Sequence, residues 1–325
     1  MTPLPNIVIL GDYERALKRF STWDQLERQA DITIYHEPLQ GEALYEAVKD
    51  ADAIAVVRDR APFNEALIAR LPKLKFFMFT GERNGTLDSS ALISRKIPIA
   101  CTPSGPSKES TAELTWALIL GASKRVVEQN KLAATGGWRD ELSVLPLLAG
   151  ERLGVMGLGS IGSRVARVGA AFGMEVVTWS PRMTPERAAA ENAKSVSLEE
   201  LLKTSKVITM HLVAGPGTKG LISKNELALM RPDSILINTS RAALIHMPDL
   251  QEALLEGRPR QAAIDVFDVE PLPLDSVLRN TPNLLVTPHL GFVAEPIFES
   301  FSNQITETLS AWLSNNPVPH PFTPK

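Results

Sequence analysis

Arg152-Leu-Gly-Val-Met-Gly157-Leu-Gly159-Ser-Ile-Gly162 is the stretch on which the fold turns. It reads as a short apolar strand over residues 153–156 that runs into a G-x-G-x-x-G and then into a helix through Val165, Val168 and Ala171. The glycine pattern alone says little; strand, loop and helix in this order give it a physical meaning. Gly157 permits a tight turn, Gly159 lets the backbone approach a pyrophosphate, and Gly162 lets helix and strand pack closely. The helix start presents unpaired N–H groups to phosphate. Gly157, Gly159, Ser160, Ile161 and Gly162 are therefore candidate contacts to a dinucleotide, set against an ordinary βα turn that needs glycine.

Working outward, strands are expected over 153–156, 175–179, 207–210, 234–238, 262–266 and 284–287, six in all with helical crossovers between them. An earlier series of five covers 6–10, 32–35, 53–57, 75–79 and 97–100, with helices such as 42–49 and 65–71 between them. The strands are continuously apolar rather than alternating, which indicates parallel sheets covered on both faces. Between the series a helix is expected over 107–130, with Ser110 or Thr111 as its cap and apolar residues around most of its girth, so that it is buried between domains or subunits. A loop follows at 135–139, and an amphipathic helix over 295–314 precedes a Pro-rich tail. The fold class is α/β with two doubly wound parallel-sheet domains.

In dinucleotide sites the next strand ends in an acid that holds the ribose 2′-hydroxyl. Here it ends Trp179-Ser180-Pro181-Arg182. Ser180 offers no repulsion to a 2′-phosphate and Arg182 offers attraction, so NADP is slightly favoured, with NAD still admitted.

Parallel sheets place working residues just past the carboxyl ends of their strands. Those positions hold His211, then Thr239-Ser240-Arg241, then Asp268 and Glu270, then Pro288-His289. This set suits removal of a hydride from carbon and a proton from oxygen. Histidine is the acid/base for the proton, a carboxylate on its far nitrogen fixes the tautomer, and arginine grips a substrate carboxylate. His289, Glu270 and Arg241 fill these roles. His211 is the rival base, read as a wall residue for want of a carboxylate partner. Arg241 also suits a structural bridge to Asp265 or Glu270. Asp268 is read as a solvated acid, His36, His246 and His320 have no visible partners, and no metal-ligand spacing is present.

These residues resemble the D-isomer-specific 2-hydroxyacid dehydrogenases over nearly the whole chain. The marks are Gly157-Leu-Gly-Ser-Ile-Gly162, Asn238-Thr-Ser-Arg241, Asp265-Val-Phe-Asp-Val-Glu270-Pro-Leu-Pro273 and Thr287-Pro-His289. The resemblance implies Arg241, Glu270 and His289 as catalytic positions. It implies Asp265 as the contact to the nicotinamide carboxamide and Thr239 as a further cofactor contact. Thr80-Gly81 resembles the loop whose N–H groups hold the substrate carboxylate, with Arg58 and Asp59 beside it. It further implies a Rossmann-type nucleotide domain (104–293) inserted into a flavodoxin-like substrate domain (1–103 and 294–325), with a cleft between, and a homodimer paired through the region that starts with the helix at Ser107. Three departures bear on the substrate. Ala242 follows Arg241 where the family usually has glycine, which would narrow the cleft. Lys206 stands where an acid is usual, and the usual asparagine near the start of the Ser107 helix is not evident.

Composition bounds the rest. The 325 residues are 44% hydrophobic and 22% charged, with a net charge of −3 and no basic stripe, which argues against nucleic acid as a partner. No apolar run reaches membrane-spanning length and the N-terminus carries no signal-peptide pattern. The one cysteine, Cys101, suits a reducing, cytoplasmic setting. The expected activity is an NAD(P)-dependent exchange between a small D-2-hydroxy acid and its 2-keto acid, glyoxylate- or hydroxypyruvate-like. Phosphoglycerate is less expected because no further domain follows, and formate is disfavoured because it needs no proton relay. The alternative is an NAD(H)-sensing binding protein like the corepressors that resemble this family. That reading needs a peptide groove or a long extension, and the tail over 315–325 is short.

Overall fold

The computed structural model describes residues 3–323. The extremities of the expected ranges, 1–2 and 324–325, lie outside the described residues. The chain divides into two compact units, one running to Pro106 and resuming at Ala294, the other from Ser107 to Val293.

The first unit carries a five-stranded sheet: β1 (Asn6–Leu10), β2 (Asp31–Tyr35), β3 (Ala53–Val56), β4 (Phe76–Phe79) and β5 (Ile99–Cys101). Its order is β2-β1-β3-β4-β5, parallel throughout, with every residue of β3 and β4 buried. Two-sided cover explains the unbroken apolar runs Ala-Ile-Ala-Val and Phe-Phe-Met-Phe. β5 starts later than the expected 97–100. Lys96 takes a left-handed φ of 59° and the Ile97 N–H turns back to Leu92 O, closing the preceding helix instead.

The Glu295–Leu313 helix belongs to this unit for chemical reasons. Ser302 Oγ donates to Leu17 O at 2.5 Å, Trp23 Nε1 donates to Ser302 Oγ at 3.2 Å, and Trp312 stacks on Phe76 with ring centroids 5.5 Å apart. Pro321 bridges Ala100 antiparallel beside β5.

The second unit has seven parallel strands: β6 (Arg152–Met156), β7 (Glu175–Trp179), β8 (Lys194–Ser195), β9 (Val207–Met210), β10 (Ile235–Asn238), β11 (Gln261–Ile264) and β12 (Leu284–Val286). Their order is β12-β11-β10-β9-β6-β7-β8, so the chain reverses direction across the sheet between β6 and β9. Ligands of doubly wound sheets bind at that reversal, outside the carboxyl ends of the strands. The seventh strand, β8, is two residues paired to Val177 and Thr178, too short to carry a hydrophobic pattern.

The helix expected over 107–130 is two helices, Ser107–Ser123 and Val126–Ala134. Arg125 breaks it with a left-handed φ of 48°, and no glycine or proline marks the spot. Nor do Ser110 or Thr111 cap the first helix, which begins at Ser107; Thr111 lies inside it and donates to Ser107 O. The Ser107–Ser123 helix packs on β10, β11 and the Gly162–Ala171 helix. Trp116 anchors it there, donating to Val165 O at 3.1 Å and stacking on Phe172 at 5.0 Å. Among the described residues no helix is long and apolar enough to cross a membrane.

Candidate active site and nucleotide loop

The glycine loop leaves β6 with Gly157 at φ 96°, a conformation L side chains rarely adopt. A Cβ there would lie 2.8 Å from His211 O at the end of β9, so the turn and the strand reversal fit only glycine. At Gly162 a Cβ would lie 2.0 Å from Gly157 O and 3.2 Å from Val155 Cγ1. The third glycine thus lets the helix start close on the loop's own first carbonyl as well as on the strand. Gly159 is exposed with nothing within 4 Å of a Cβ. Among the described residues the amides of Leu158, Gly159 and Ser160 donate no internal hydrogen bond. A bare backbone face ahead of a ten-residue helix, Gly162–Ala171, fits a pyrophosphate. Ile161 is the last residue before that helix and Ser160 is exposed, its carbonyl accepting from Arg164.

Past β7, Ser180 is half-buried and Arg182 exposed. Sequence reasoning missed a second cation here. Thr184 caps a short helix, Pro185–Ala189, which returns Arg187 over the turn, where its Nη1 donates to Arg182 O at 2.6 Å. The Thr184-Pro185 pair was a visible helix-start signal.

His289 and Glu270 meet. His289 Nδ1 and Glu270 Oε2 lie 2.6 Å apart, both side chains 35% exposed. Burial pulls the Glu270 carboxyl upward. The hydrogen bond and charge of His289, the Phe267 N–H at 2.9 Å and the Arg241 charge outweigh it and hold the carboxyl below its ordinary value. Glu270 is therefore ionised at neutral pH and accepts from Nδ1–H, leaving Nε2 for another partner.

His289 itself has φ 54°, a strained setting for a non-glycine residue. Asp265 maintains it. Asp265 Oδ1 accepts from Thr287 Oγ1 at 2.6 Å and from the Leu290 N–H at 2.7 Å, and Oδ2 accepts from the Gly291 N–H at 2.9 Å. Burial pushes this carboxyl up, and the three donors oppose the shift. Asp265 is 0% exposed and both its oxygens accept hydrogen bonds from the segment 287–291, so it organises the His289 loop.

Arg241 is exposed after β10. Asn238 shapes its turn, donating to Arg241 O at 2.9 Å and accepting from the Ser240 N–H at 3.0 Å, while Ser240 Oγ donates to Leu212 O at 2.6 Å. The Arg241 guanidinium donates to Ser240 O at 2.7 Å. Neither a bond to Asp265 nor one to Glu270 occurs among the described hydrogen bonds of Arg241, so the structural-bridge alternative fails. Thr239 is buried and bonded to Thr115 Oγ1 at 2.8 Å. His211 sits against Thr209 Oγ1 at 2.9 Å, and burial pushes its pKa down to about 3, so it stays neutral and unsuited to donate a proton. Asp268 is exposed, as read.

In the first unit, the ends of β3 and β4 are tied together. Arg58 has φ 57°, its N–H donates to Thr80 Oγ1 at 3.0 Å, and its carbonyl accepts from Asn84 Nδ2 at 3.0 Å. Its guanidinium lies across Gly81, where a Cβ would stand 1.7 Å from Nη1. Asp59 Oδ1 accepts from the Gly85 N–H at 2.8 Å. The Thr80 N–H donates to Val56 O and the Gly81 N–H to Thr102 Oγ1, so both amides expected to hold a substrate carboxylate already have internal acceptors. Two bystander histidines also have partners: His36 Nδ1 lies 2.8 Å from Asp12 O, and His246 Nδ1 3.0 Å from Asp249 Oδ1.

The model of the family described as D-isomer specific 2-hydroxyacid dehydrogenase, NAD binding domain, matches residues 116–291. A glyoxylate reductase of Aeropyrum pernix is 32% identical over 305 residues, 91% of this chain and 90% of that protein. A D-3-phosphoglycerate dehydrogenase of Methanocaldococcus jannaschii is 34% identical over 292 residues, 88% of this chain and 55% of that longer protein. A solved phosphoglycerate oxidoreductase from Vibrio cholerae superposes with a TM-score of 0.88 at 30% identity, over 96% of this chain and 100% of that one. A parallel seven-stranded sheet with this glycine loop, and a match of that extent, place the chain in the D-isomer-specific 2-hydroxyacid dehydrogenases, with an NAD-binding domain of that family.

Proposed function

We propose that the protein reduces a small 2-keto acid of the glyoxylate or hydroxypyruvate type to its D-2-hydroxy acid, and runs the reverse oxidation, with His289 as the acid/base. The 2.6 Å contact between His289 Nδ1 and an ionised Glu270 carries this reading. When bound, the nicotinamide supplies the hydride to the carbonyl carbon or takes it back. In reduction, protonated His289 gives its Nε2 proton to the keto oxygen, and Glu270 stabilises the imidazolium through Nδ1. Arg241 holds the substrate carboxylate in a fork of donors.

Gly157, Gly159, Ser160, Ile161 and Gly162 would hold the pyrophosphate. Ser180 with Arg182 and Arg187 would hold the ribose end, and serine in place of a carboxylate at the end of β7, with two cations beside it, tilts the preference toward NADP. A glyoxylate-like substrate accords with the name of the Aeropyrum pernix relative, which is matched along nearly its full length. The segment over 126–147 exposes Val126, Val127, Trp138, Leu142, Val144 and Leu147, an apolar run that a second copy would cover, making a homodimer. The lone Cys101 suits the cytoplasm.

The test is turnover of NADH and NADPH against a panel of 2-keto acids. His289→Ala lowers kcat by about 10²- to 10⁴-fold. Tight binding of either cofactor with every keto acid inert overturns the enzyme reading.

A further inference from the structure

We propose that Thr111 and Thr115, one turn apart on the Ser107–Ser123 helix, are positioning residues that separately hold the loops bearing His289 and Arg241. The inference rests on the catalytic roles proposed above.

Both threonines are buried, Thr111 at 8% and Thr115 at 0% exposure. Thr111 Oγ1 lies 2.7 Å from Ser107 O and 2.9 Å from Gly291 O, so its one proton serves a carbonyl of its own helix and one of the His289 loop. Gly291 is thereby gripped at both ends, its N–H by Asp265 and its carbonyl by Thr111. The fit is close: a Cβ on Gly291 would lie 3.3 Å from Asp265 Oδ2 and 3.3 Å from Thr111 Oγ1. His289, two residues upstream, keeps its left-handed φ because the segment beyond it cannot slide.

Thr115 Oγ1 lies 2.7 Å from Thr111 O and 2.8 Å from Thr239 Oγ1. A carbonyl only accepts, so Thr115 donates to Thr111 O and must accept from Thr239. The proton order Thr239 to Thr115 to Thr111 O is thus set. Thr239 stands two residues before Arg241, in the turn that Asn238 closes. Two hydroxyls on one helix therefore register loops that follow β12 and β10. The helix does not need them for packing, since valine has the same shape and its neighbours Ala112, Trp116, Leu118 and Ile119 are apolar. What valine lacks is the hydrogen bond to each loop. Proton donor and carboxylate anchor must be placed together for the reacting atoms to align.

Valine and serine variants of the full-length chain test this. Thr111→Val lowers kcat about tenfold with KM little changed, and Thr115→Val raises the keto-acid KM about tenfold with kcat little changed. Each serine variant, which keeps the hydroxyl, restores the affected constant. Amide hydrogen exchange reads the same geometry without turnover. Thr111→Val speeds exchange at Leu290 and Gly291 about tenfold and leaves Ser240 alone, and Thr115→Val does the converse. Exchange that rises at both loops together, or at neither, overturns the proposal, as does failure of serine to rescue. Where a valine variant does not fold, the alanine variant is read in its place, and loss of folding there too makes the role structural and sinks the idea. Inert keto acids with the predicted exchange pattern would overturn the enzyme reading alone.

Discussion

Replacing Asp265 by asparagine separates two roles for one buried carboxylate: a contact to the cofactor, or a clamp on the loop that carries His289. The side chain accepts three hydrogen bonds, two at Oδ1 and one at Oδ2, and is 0% exposed. Asparagine has one acceptor oxygen. With that oxygen in the Oδ1 place, Thr287 and Leu290 keep their partner and the new NH2 faces the Gly291 N–H. The opposite orientation abandons two donors and is worse. The cheaper arrangement leaves one buried N–H unsatisfied, about 1–3 kcal/mol, and removes charge assistance from the other two bonds. Release of a buried charge offsets part of this, giving a net loss of about 2 kcal/mol. Urea unfolding should show it as a lower midpoint at unchanged slope. Burial holds the folded carboxyl above its ordinary 3.8. The folded protein therefore takes up this proton more readily than the unfolded chain. Its stabilising part is fully present below pH 3.8 and is lost as pH rises through the folded value. The wild-type advantage over Asp265→Asn thus narrows from acid toward neutral pH. With the loop loosened, kcat falls at least about tenfold while NADH and NADPH bind as before. Cofactor affinity lost about tenfold with stability unchanged would refute the clamp and restore the direct contact.

Glu270→Gln removes a stabilising ion pair whose carboxyl sits below its ordinary 4.5. The wild-type excess, about 0.5–1 kcal/mol after screening at a partly exposed pair, is present above pH 4.5 and vanishes as pH falls through the folded value, read by chemical denaturation across that range. Ser180→Asp shifts the ratio of kcat/KM toward NADH, and Arg187→Ala raises the NADPH KM several-fold with the NADH KM unmoved; no change in either removes the argument for NADP. Gly162→Ala drives a methyl to 2.0 Å from a backbone carbonyl that cannot yield cheaply, so fluorescence titration should find cofactor affinity reduced more than about 100-fold, and near-normal affinity would show the loop to be softer than drawn.

Both sheets were legible because two-sided burial leaves unbroken apolar runs, and Ala53–Val56 and Val207–Met210 carry no competing signal. The two-residue β8 has no pattern to read, and the break at Arg125 depends on one backbone torsion that residue type does not announce. Of the candidate site, the pairing of His289 with Glu270 was legible from their places after strands, and the two side chains meet at 2.6 Å. Thr111 and Thr115 were not, since a threonine inside a buried helix reads as core, and only the loops that fold against it reveal the hydroxyl's second partner. Thr80 and Gly81 show the converse: a loop recognised by sequence has its amides engaged by Val56 O and Thr102 Oγ1, which no local pattern discloses.

Two of the three departures from the family pattern are absorbed where they stand. Ala242 follows Arg241, but the residue is 7% exposed and belongs to the apolar cluster with Leu244 and Ile264. Lys206 precedes β9, at the amino end of the sheet, opposite the edge that bears the glycine loop and His289. There its Nζ donates to Asp233 O at 2.7 Å and to Asp233 Oδ2 at 2.9 Å. Arg231 grips the same carboxylate through Nε and Nη2 and reaches Glu151 through Nη1, and Asp233 is held well below the usual carboxylate range. A buried lysine is tolerated when its charge is paired and hydrogen-bonded, and Asp233 supplies both, so a base in place of an acid at this position is accommodated locally.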